Sequence, residues 1–227
     1  KADVVLFNAN PGFLHEALKK IYNLKSLNRD SILIMRLAGP IIMARGSGAH
    51  YDNVICRINE QVSDGVVFQS EWSKKNFKLI GFKNNHFERT ITNAPDPLIF
   101  NNTGKIAFSR KRKIRLVASS WSDNWRKGFD IYQRMDELLD FEKYSMTFIG
   151  NSPVNFKNIR QIEPLSSQKL ADELKTHDIY ITASINETCS NSLIEALHCG
   201  LPAVVRNDGG HPEIVGKGGL CFNSAEE

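Results

Sequence analysis

Ile179-Tyr180-Ile181-Thr182-Ala183-Ser184-Ile185-Asn186-Glu187-Thr188-Cys189-Ser190-Asn191-Ser192-Leu193-Ile194-Glu195-Ala196-Leu197-His198 decides the fold. The apolar run Ile179 to Ala183 reads as a short strand. Small and polar residues follow and make a loop, and the mostly apolar segment Ser192 to His198 reads as a helix. Beyond Cys199-Gly200-Leu201-Pro202 a second apolar run, Ala203 to Val205, reads as another strand. Strand, helix, strand is the βαβ unit of a parallel sheet. The stretch also carries two carboxylates, Glu187 in the loop and Glu195 one turn into the helix. The small and polar residues between them leave backbone N–H groups open to a ligand, a layout for a polyhydroxylated molecule bearing phosphate.

The same alternation runs outward from this unit. Upstream in the second half, strands are predicted over Ile114 to Ala118, Ser145 to Ile149 and Ile159 to Ile162, with helices over Phe129 to Leu139 and Gln168 to Leu174. In the first half, strands are predicted over Val4 to Phe7, Ile32 to Leu37, Val66 to Gln69 and Arg89 to Thr92. Helices are predicted over Phe13 to Leu24, Tyr51 to Val62 and Trp72 to Leu79. Asn93-Ala94-Pro95-Asp96-Pro97 breaks the pattern, since each proline biases its predecessor away from helix. The restart near residue 112 predicts an α/β protein of two Rossmann-like domains, 1–108 and 109–227. The first half shows no opening strand with a glycine-rich turn, and the second stops where a closing helix is expected. A piece of a longer protein is the expectation.

Composition bounds the function classes. Hydrophobic content of 41% and charged content of 24% are ordinary for a soluble globular chain. No apolar stretch reaches transmembrane length. Cys56, Cys189, Cys199 and Cys221 form no CxxC pair, which points to a reduced, cytosolic setting. The net charge is +4, with cations bunched at Lys105, Arg110, Lys111, Arg112, Lys113 and Arg115. A nucleic-acid or anionic-membrane patch is one reading of that run and a solvated inter-domain segment the other. No interleaved aromatics support nucleic-acid binding.

In open α/β sheets ligands bind outside the carboxyl ends of the strands, and three loops of the second half fall there. The first is Ser119-Ser120-Trp121-Ser122-Asp123-Asn124-Trp125-Arg126-Lys127-Gly128, which places Lys127 at a helix start, where an ammonium and open N–H groups act together on phosphate. Gly128 is expected to let a bulky anion approach the backbone. In the second loop, Ser184 to Ser192, Ser190 or Asn191 caps the next helix. A carboxylate beside phosphates repels them, so Glu187 is expected to face sugar hydroxyls, while Glu195 is suited to a vicinal diol such as ribose. The third loop, Asn207-Asp208-Gly209-Gly210-His211-Pro212-Glu213-Ile214, has glycines expected to approach a ligand and a proline suited to a first helical turn.

Together these loops resemble the donor-binding domain of retaining GT-B glycosyltransferases of glycosyltransferase family 4. The resemblance rests on Glu187-x7-Glu195, on His198-Cys199-Gly200-Leu201-Pro202-Ala203-Val204-Val205 and on Gly209-Gly210-His211-Pro212-Glu213-Ile214-Val215. Lys127-Gly128 and the interdomain turn Asn93-Ala94-Pro95-Asp96 through Phe100 also match the family pattern. The resemblance implies a nucleotide-sugar donor, a glycan, lipid or other hydroxyl acceptor, and no metal or other cofactor. It implies that Glu187 contacts the transferred sugar, Glu195 holds the nucleotide ribose and Lys127 neutralises the leaving diphosphate. Backbone amides of Thr188, Cys189, Ser190, Asn191 and Ser192 would grip the donor, Glu163 and Leu165 would flank the base, and Ser120, Arg126 and Gly128 stand at donor-side positions.

Two features depart from the family pattern. The arginine usually found a few residues before the phosphate lysine is replaced by Ser119-Ser120-Trp121, leaving Arg126 nearby. No histidine ends the strand that closes Met35-Arg36-Leu37. The reading is a hexosyltransferase-like, retaining enzyme of the cytoplasm, at most peripheral at the inner membrane surface. A non-catalytic sugar-nucleotide-binding or scaffold protein is the alternative. A dinucleotide-dependent oxidoreductase is disfavoured, since no GxGxxG follows a strand.

Overall fold

The computed structural model describes residues 3–9, 16, 19–23, 30–83 and 87–227. Most of the helix predicted over Phe13 to Leu24 lies outside these residues. The chain forms two compact units, Lys1–Thr92 and Asn93–Glu227.

In the first unit β1 (Val4–Asn8), β2 (Ile32–Leu37), β3 (Gly65–Phe68) and β4 (Phe87–Thr90) form a parallel sheet in chain order. Helices α1 (Ile41–Arg45), α2 (Ala49–Gln61) and α3 (Glu71–Leu79) connect them. The buried rings of Phe68, Phe77 and Phe82 pack tilted or edge-on, with centroids 5.4 to 6.1 Å apart. Helix α1 was not predicted, because five residues between Pro40 and Gly46 carry little periodic signal. Its exposed amide end is closed from a distance: the Asp52 carboxylate accepts from the amides of Ile41 (2.7 Å) and Ile42 (2.9 Å).

The second unit holds a six-stranded parallel sheet. Its strands are β5 (Ile114–Ser120), β6 (Tyr144–Gly150), β7 (Arg160–Ile162), β8 (Ile179–Thr182), β9 (Ala203–Arg206) and β10 (Gly219–Phe222). Their spatial order is β7-β6-β5-β8-β9-β10, so the chain winds outward to one side and then returns to wind to the other. This is the doubly wound order, and its switch point falls between β5 and β8. Helices α4 (Phe129–Leu138), α5 (Ser167–Lys175), α6 (Asn191–His198) and α7 (His211–Val215) make the crossovers. One core face gathers Val117, Ile149, Leu174, Tyr180 and Leu193, and the other Phe129, Tyr132, Phe148 and Ile181. Among the described residues, no helix is long and apolar enough to cross a membrane.

Residues 93–108, placed with the first half by sequence, belong to the second unit. Phe100 is buried in the core beside Leu193, Cys199 and Leu201. Lys105 Nζ donates to the His177 carbonyl at 2.6 Å, and the Ile106 amide to that of Lys175 at 3.0 Å. The segment's polarity suggests a linker; Phe100 and several of its polar groups find partners in the second unit instead. Arg112 then fastens the start of β5. It donates to both Asp178 oxygens, at 2.5 and 2.8 Å, and the Arg115 amide donates to Oδ2 at 2.8 Å.

Burial alone raises the Asp178 carboxyl, but the Arg112 and Arg115 hydrogen bonds and the Arg112 charge outweigh it and hold the group well below the usual range. A depressed folded-state value contributes stability above the ordinary aspartate range and loses it as pH falls through the folded value. Asp178→Ala therefore lowers stability by about 2–3 kcal/mol near neutral pH, less than for a fully buried pair because Arg112 reaches water. Urea unfolding of variant and wild type should converge only in strong acid; convergence already at about pH 5 would remove the ion pair as the cause.

Candidate functional site

A cavity of about 310 Å³ lies at the switch point, lined from the carboxyl ends of β5, β6 and β8 and from the start of α6. Two close approaches of backbone build it. Gly128 has φ +84°, and a Cβ there would stand 2.2 Å from the Ala183 carbonyl oxygen. Gly209 has φ +65°, and its Cβ would stand 2.4 Å from the Glu187 carbonyl oxygen. Both glycines were expected to make room for a ligand; they make room for the neighbouring loop. Hydrogen bonds follow the contacts. The Ile185 amide donates to the Arg126 carbonyl at 2.8 Å, and the Gly210 amide to that of Glu187 at 2.8 Å. The Asn186 amide donates to Asp208 Oδ1, with Asn186 itself in the left-handed region at φ 53°. The loop carrying Glu187 is thus clamped between the two other loops.

Lys127 sits on a 3₁₀ turn, Trp125–Lys127, rather than on the α-helix start predicted for it. The Asn124 side chain caps that turn by accepting from the Arg126 amide at 2.9 Å, and Gly128 ends it. From there the Lys127 ammonium reaches the Glu187 carboxylate and forms an ion pair, both groups partly open to water. Glu195 also lines the cavity. Burial pushes its carboxyl up to about 7. Two carboxylates of one site thus have different surroundings: Glu187 faces a cation, and Glu195 is desolvated.

Ser190 caps α6 by accepting from the Leu193 amide at 3.3 Å. The first backbone bond of that helix starts at Ile194, so the Asn191 and Ser192 amides stand in the open first turn at the cavity. Asn93 braces the turn, donating from its side chain to Asn191 Oδ1 at 2.6 Å and from its amide to Cys189 Sγ at 3.4 Å. The Tyr180 hydroxyl, buried beneath, lies 3.1 Å from Ser119 Oγ.

Of the residues singled out from the sequence, the structure brings Ser120, Lys127, Leu165, Glu187, Cys189, Ser190, Asn191, Ser192 and Glu195 to this one cavity. Arg126, Gly128, Glu163 and Thr188 do not line it. Gly128 is spent on Ala183, Thr188 is buried, Glu163 is exposed and the Arg126 carbonyl holds Ile185. Ile149 and Gly150 from β6 and Leu170 from α5 line it without having been foreseen. They neighbour the site through sheet order, which adjacency in sequence does not reveal. His211 is wholly buried, neither ring nitrogen meets hydrogen-bond geometry, and burial lowers its pKa, so the imidazole is neutral.

The sequence model of the family described as glycosyl transferases group 1 matches residues 112–227, just over half of the chain. The chain belongs to this family. Its matched part holds the whole cavity. Among solved structures, HepE of Anabaena, crystallised in complex with UDP-glucose, is similar with TM-score 0.70 at 15% identity. The likeness covers 98% of this chain and 65% of HepE. Sucrose-phosphate synthase of Thermosynechococcus elongatus is similar with TM-score 0.72 at 14% identity, over 99% of this chain and 62% of its own. Uncharacterized protein 356 of Sulfolobus islandicus rod-shaped virus 1 is 24% identical over 163 residues, which is 65% of this chain and 46% of the viral protein. The chain spans less than two thirds of each of these relatives. The structural likenesses establish the fold of this group 1 glycosyltransferase chain as GT-B, with two Rossmann-like units.

The clamp is testable by itself. Gly104 has φ +76° and open space around its would-be Cβ, so Gly104→Ala measures the conformational cost alone, about 1 kcal/mol. Gly128→Ala adds the clash with Ala183 and should cost at least about 2 kcal/mol more by urea unfolding. Equal losses at the two positions would mean the loops do not meet as described.

Proposed function

We propose that the protein transfers a sugar from a nucleoside-diphosphate sugar to a hydroxyl acceptor with retention of anomeric configuration. The donor binds at the switch-point cavity of Asn93–Glu227, and Lys1–Thr92 is the acceptor-side unit. The observation that carries this reading is the convergence of Lys127, Glu187, Glu195 and the open first turn of α6 on one cavity.

The hard step is departure of the nucleoside diphosphate from the anomeric carbon, and stabilising the charge that develops on it is the main catalytic demand. An entering diphosphate competes with Glu187 for the Lys127 ammonium and meets the Asn191 and Ser192 amides at the helix start. Glu187, displaced from its cation, is left beside the sugar and accepts hydrogen bonds from its hydroxyls. In the transfer the bond from C1 to the diphosphate oxygen breaks and a bond from C1 to the acceptor oxygen forms. The acceptor proton leaves with the diphosphate. Retention asks for attack from the face the diphosphate vacates, where its departing oxygen is itself the nearest base. Pro164 and Leu165 offer an apolar wall to the base, and Glu195 accepts from the ribose diol.

One observation favours a second reading, a sugar-nucleotide-binding protein without turnover. Among the described residues, Lys127 is the one cation lining the cavity, and Ser120 and Trp121 stand where the family carries an arginine. Turnover separates the two. With a panel of nucleoside-diphosphate sugars beginning with UDP-glucose, one donor should bind and slowly release diphosphate. Glu187→Gln should abolish release while retaining binding, and Lys127→Ala should weaken binding about 10- to 100-fold by calorimetry, as expected for losing a charge-assisted contact. Binding without release or transfer for every donor and acceptor tried would select the second reading.

The Glu195 value gives a pH signature. Its raised folded-state value favours the protonated form, so that contribution to stability is complete below the ordinary glutamate range and is lost as pH rises through about 7. A diol that donates two hydrogen bonds requires the carboxylate. Affinity for the sugar nucleotide should therefore rise about tenfold between pH 6 and pH 8, with proton release, and Glu195→Gln should flatten the profile. The intact donor is the right probe, because a terminal phosphate titrates in the same range. A flat wild-type profile would take Glu195 away from the diol.

A further inference from the structure

At the end of the six-stranded sheet opposite to the switch-point loops, a second cavity of about 660 Å³ lies at the starts of β5, β6 and β7 and the end of α5. Its size is that of a small-molecule site. Four cations line it, Lys113, Arg115, Lys157 and Arg160, against one carboxylate, Glu173, a surplus of three positive charges (four minus one). His177, which also lines it, adds no charge. Burial lowers its pKa, its Nε2 lies 3.0 Å from Thr147 Oγ1, and its Nδ1 lies 2.9 Å from the Glu173 carbonyl.

Arg115 is the telling residue. Its Nε lies 3.5 Å from Asp178 Oδ2, a loose ion pair, while the short bonds to that carboxylate come from Arg112 and from the Arg115 amide. Nε and Nη2 of Arg115 are shut off from solvent and have no hydrogen-bond partner. A guanidinium carries five donors in a rigid fork, and leaving buried ones unmet costs free energy comparable to a lost hydrogen bond. Gathering four like charges around one cavity adds repulsion. Neither cost serves the sheet, whose core is complete without them. Nitrogens closed to water are closed to a ligand as well, so the first cost is relieved only when the guanidinium turns into the cavity; the second is relieved directly by an anion with several acceptor oxygens and more than one negative charge.

We propose that this cavity binds a polyanion bearing two or more phosphate groups, separately from the sugar-nucleotide donor. Turned into the cavity, Arg115 offers the fork, and Lys113, Lys157 and Arg160 the surrounding charge. A soluble polyphosphate compound and a phosphorylated lipid headgroup share this chemistry.

Two probes distinguish the sources: calorimetric titration with tripolyphosphate, and flotation with phosphatidylcholine vesicles carrying phosphatidylinositol bisphosphate. Binding of tripolyphosphate alone identifies a soluble ligand, and binding to vesicles alone identifies a headgroup. In either case the complex should survive Lys127→Ala within about twofold and weaken at least tenfold in the double variant Lys157→Glu, Arg160→Glu. The double variant Arg110→Glu, Lys111→Glu reverses two exposed cations of the neighbouring turn, outside the cavity, and should weaken it less than about threefold. No binding of either probe, loss of binding with Lys127→Ala, or equal losses in the two double variants would overturn the proposal.

Discussion

The Ala183 carbonyl oxygen occupies the place where a side chain at position 128 would have to stand, and much of the site follows from that. In a doubly wound sheet the strands on either side of the switch point send their loops in opposite directions, and the gap between them is where ligands bind. Here the gap is narrowed until the backbones touch. Gly128 rests on Ala183, Gly209 rests on Glu187, and the loop between is held by the Arg126 carbonyl on one side and the Asp208 carboxylate on the other. Lys127 and Glu187 are therefore brought together by the main chain, and their ion pair is a consequence of the clamp rather than its cause. A surface pair of this kind contributes little to stability. In the proposed transfer it holds a charge ready that the donor diphosphate can take over.

The two glutamates illustrate how one fold gives the same side chain two characters. Glu187 rises from a loop and meets a cation, so its charge is compensated. Glu195 rises from a helix flanked by the buried Ile194 and Ala196, and burial alone moves it toward neutrality. A group poised near 7 in the folded chain is sensitive to any partner that prefers one of its forms. Hydroxyl donors prefer the carboxylate. In the proposed transfer, recognition of a diol at Glu195 therefore gains as pH rises, in the same cavity as Lys127.

The parallel sheets were legible because short apolar runs alternate with amphipathic segments from Val4 to Val205. The missed elements lacked that signal for physical reasons. Strand β10 is a four-residue edge strand that opens on Gly219, and its apolar run is only Leu220 to Phe222, with Leu220 exposed, between a glycine-rich turn and a polar end. Helix α1 is closed by Asp52, a contact across ten residues of chain that no local pattern reports. The acidic pair and the lysine could be placed on one cavity because each sits just beyond a recognisable strand. Ile149, Gly150 and Leu170 could not, since their neighbours are set by the order β6-β5-β8, and sequence does not reveal that order. The glycines were found, but their purpose was misassigned. A missing side chain looks the same in sequence whether it admits a ligand or another loop.

The cluster of cations from Lys105 to Arg115 shows the same ambiguity resolved residue by residue. Lys105 is bound to the His177 carbonyl and Arg112 to Asp178, so these two hold the chain rather than a partner, while Lys113 donates to the Phe141 carbonyl and also lines the second cavity. A basic edge is also what a parallel α/β sheet favours by itself. The crossover helices end at the amino side of the strands, and cations there complement the carbonyl ends of their dipoles. Helix-end compensation is satisfied by solvated lysines on a convex surface, however, and leaves no guanidinium nitrogen buried without an acceptor. Arg115 lies instead in a cavity ringed by cations from two separate parts of the chain, 113–115 and 157–160. Dipole compensation accounts for the sign of the charge at this edge. It does not account for its concentration around a cavity, and that remainder is what argues for a ligand.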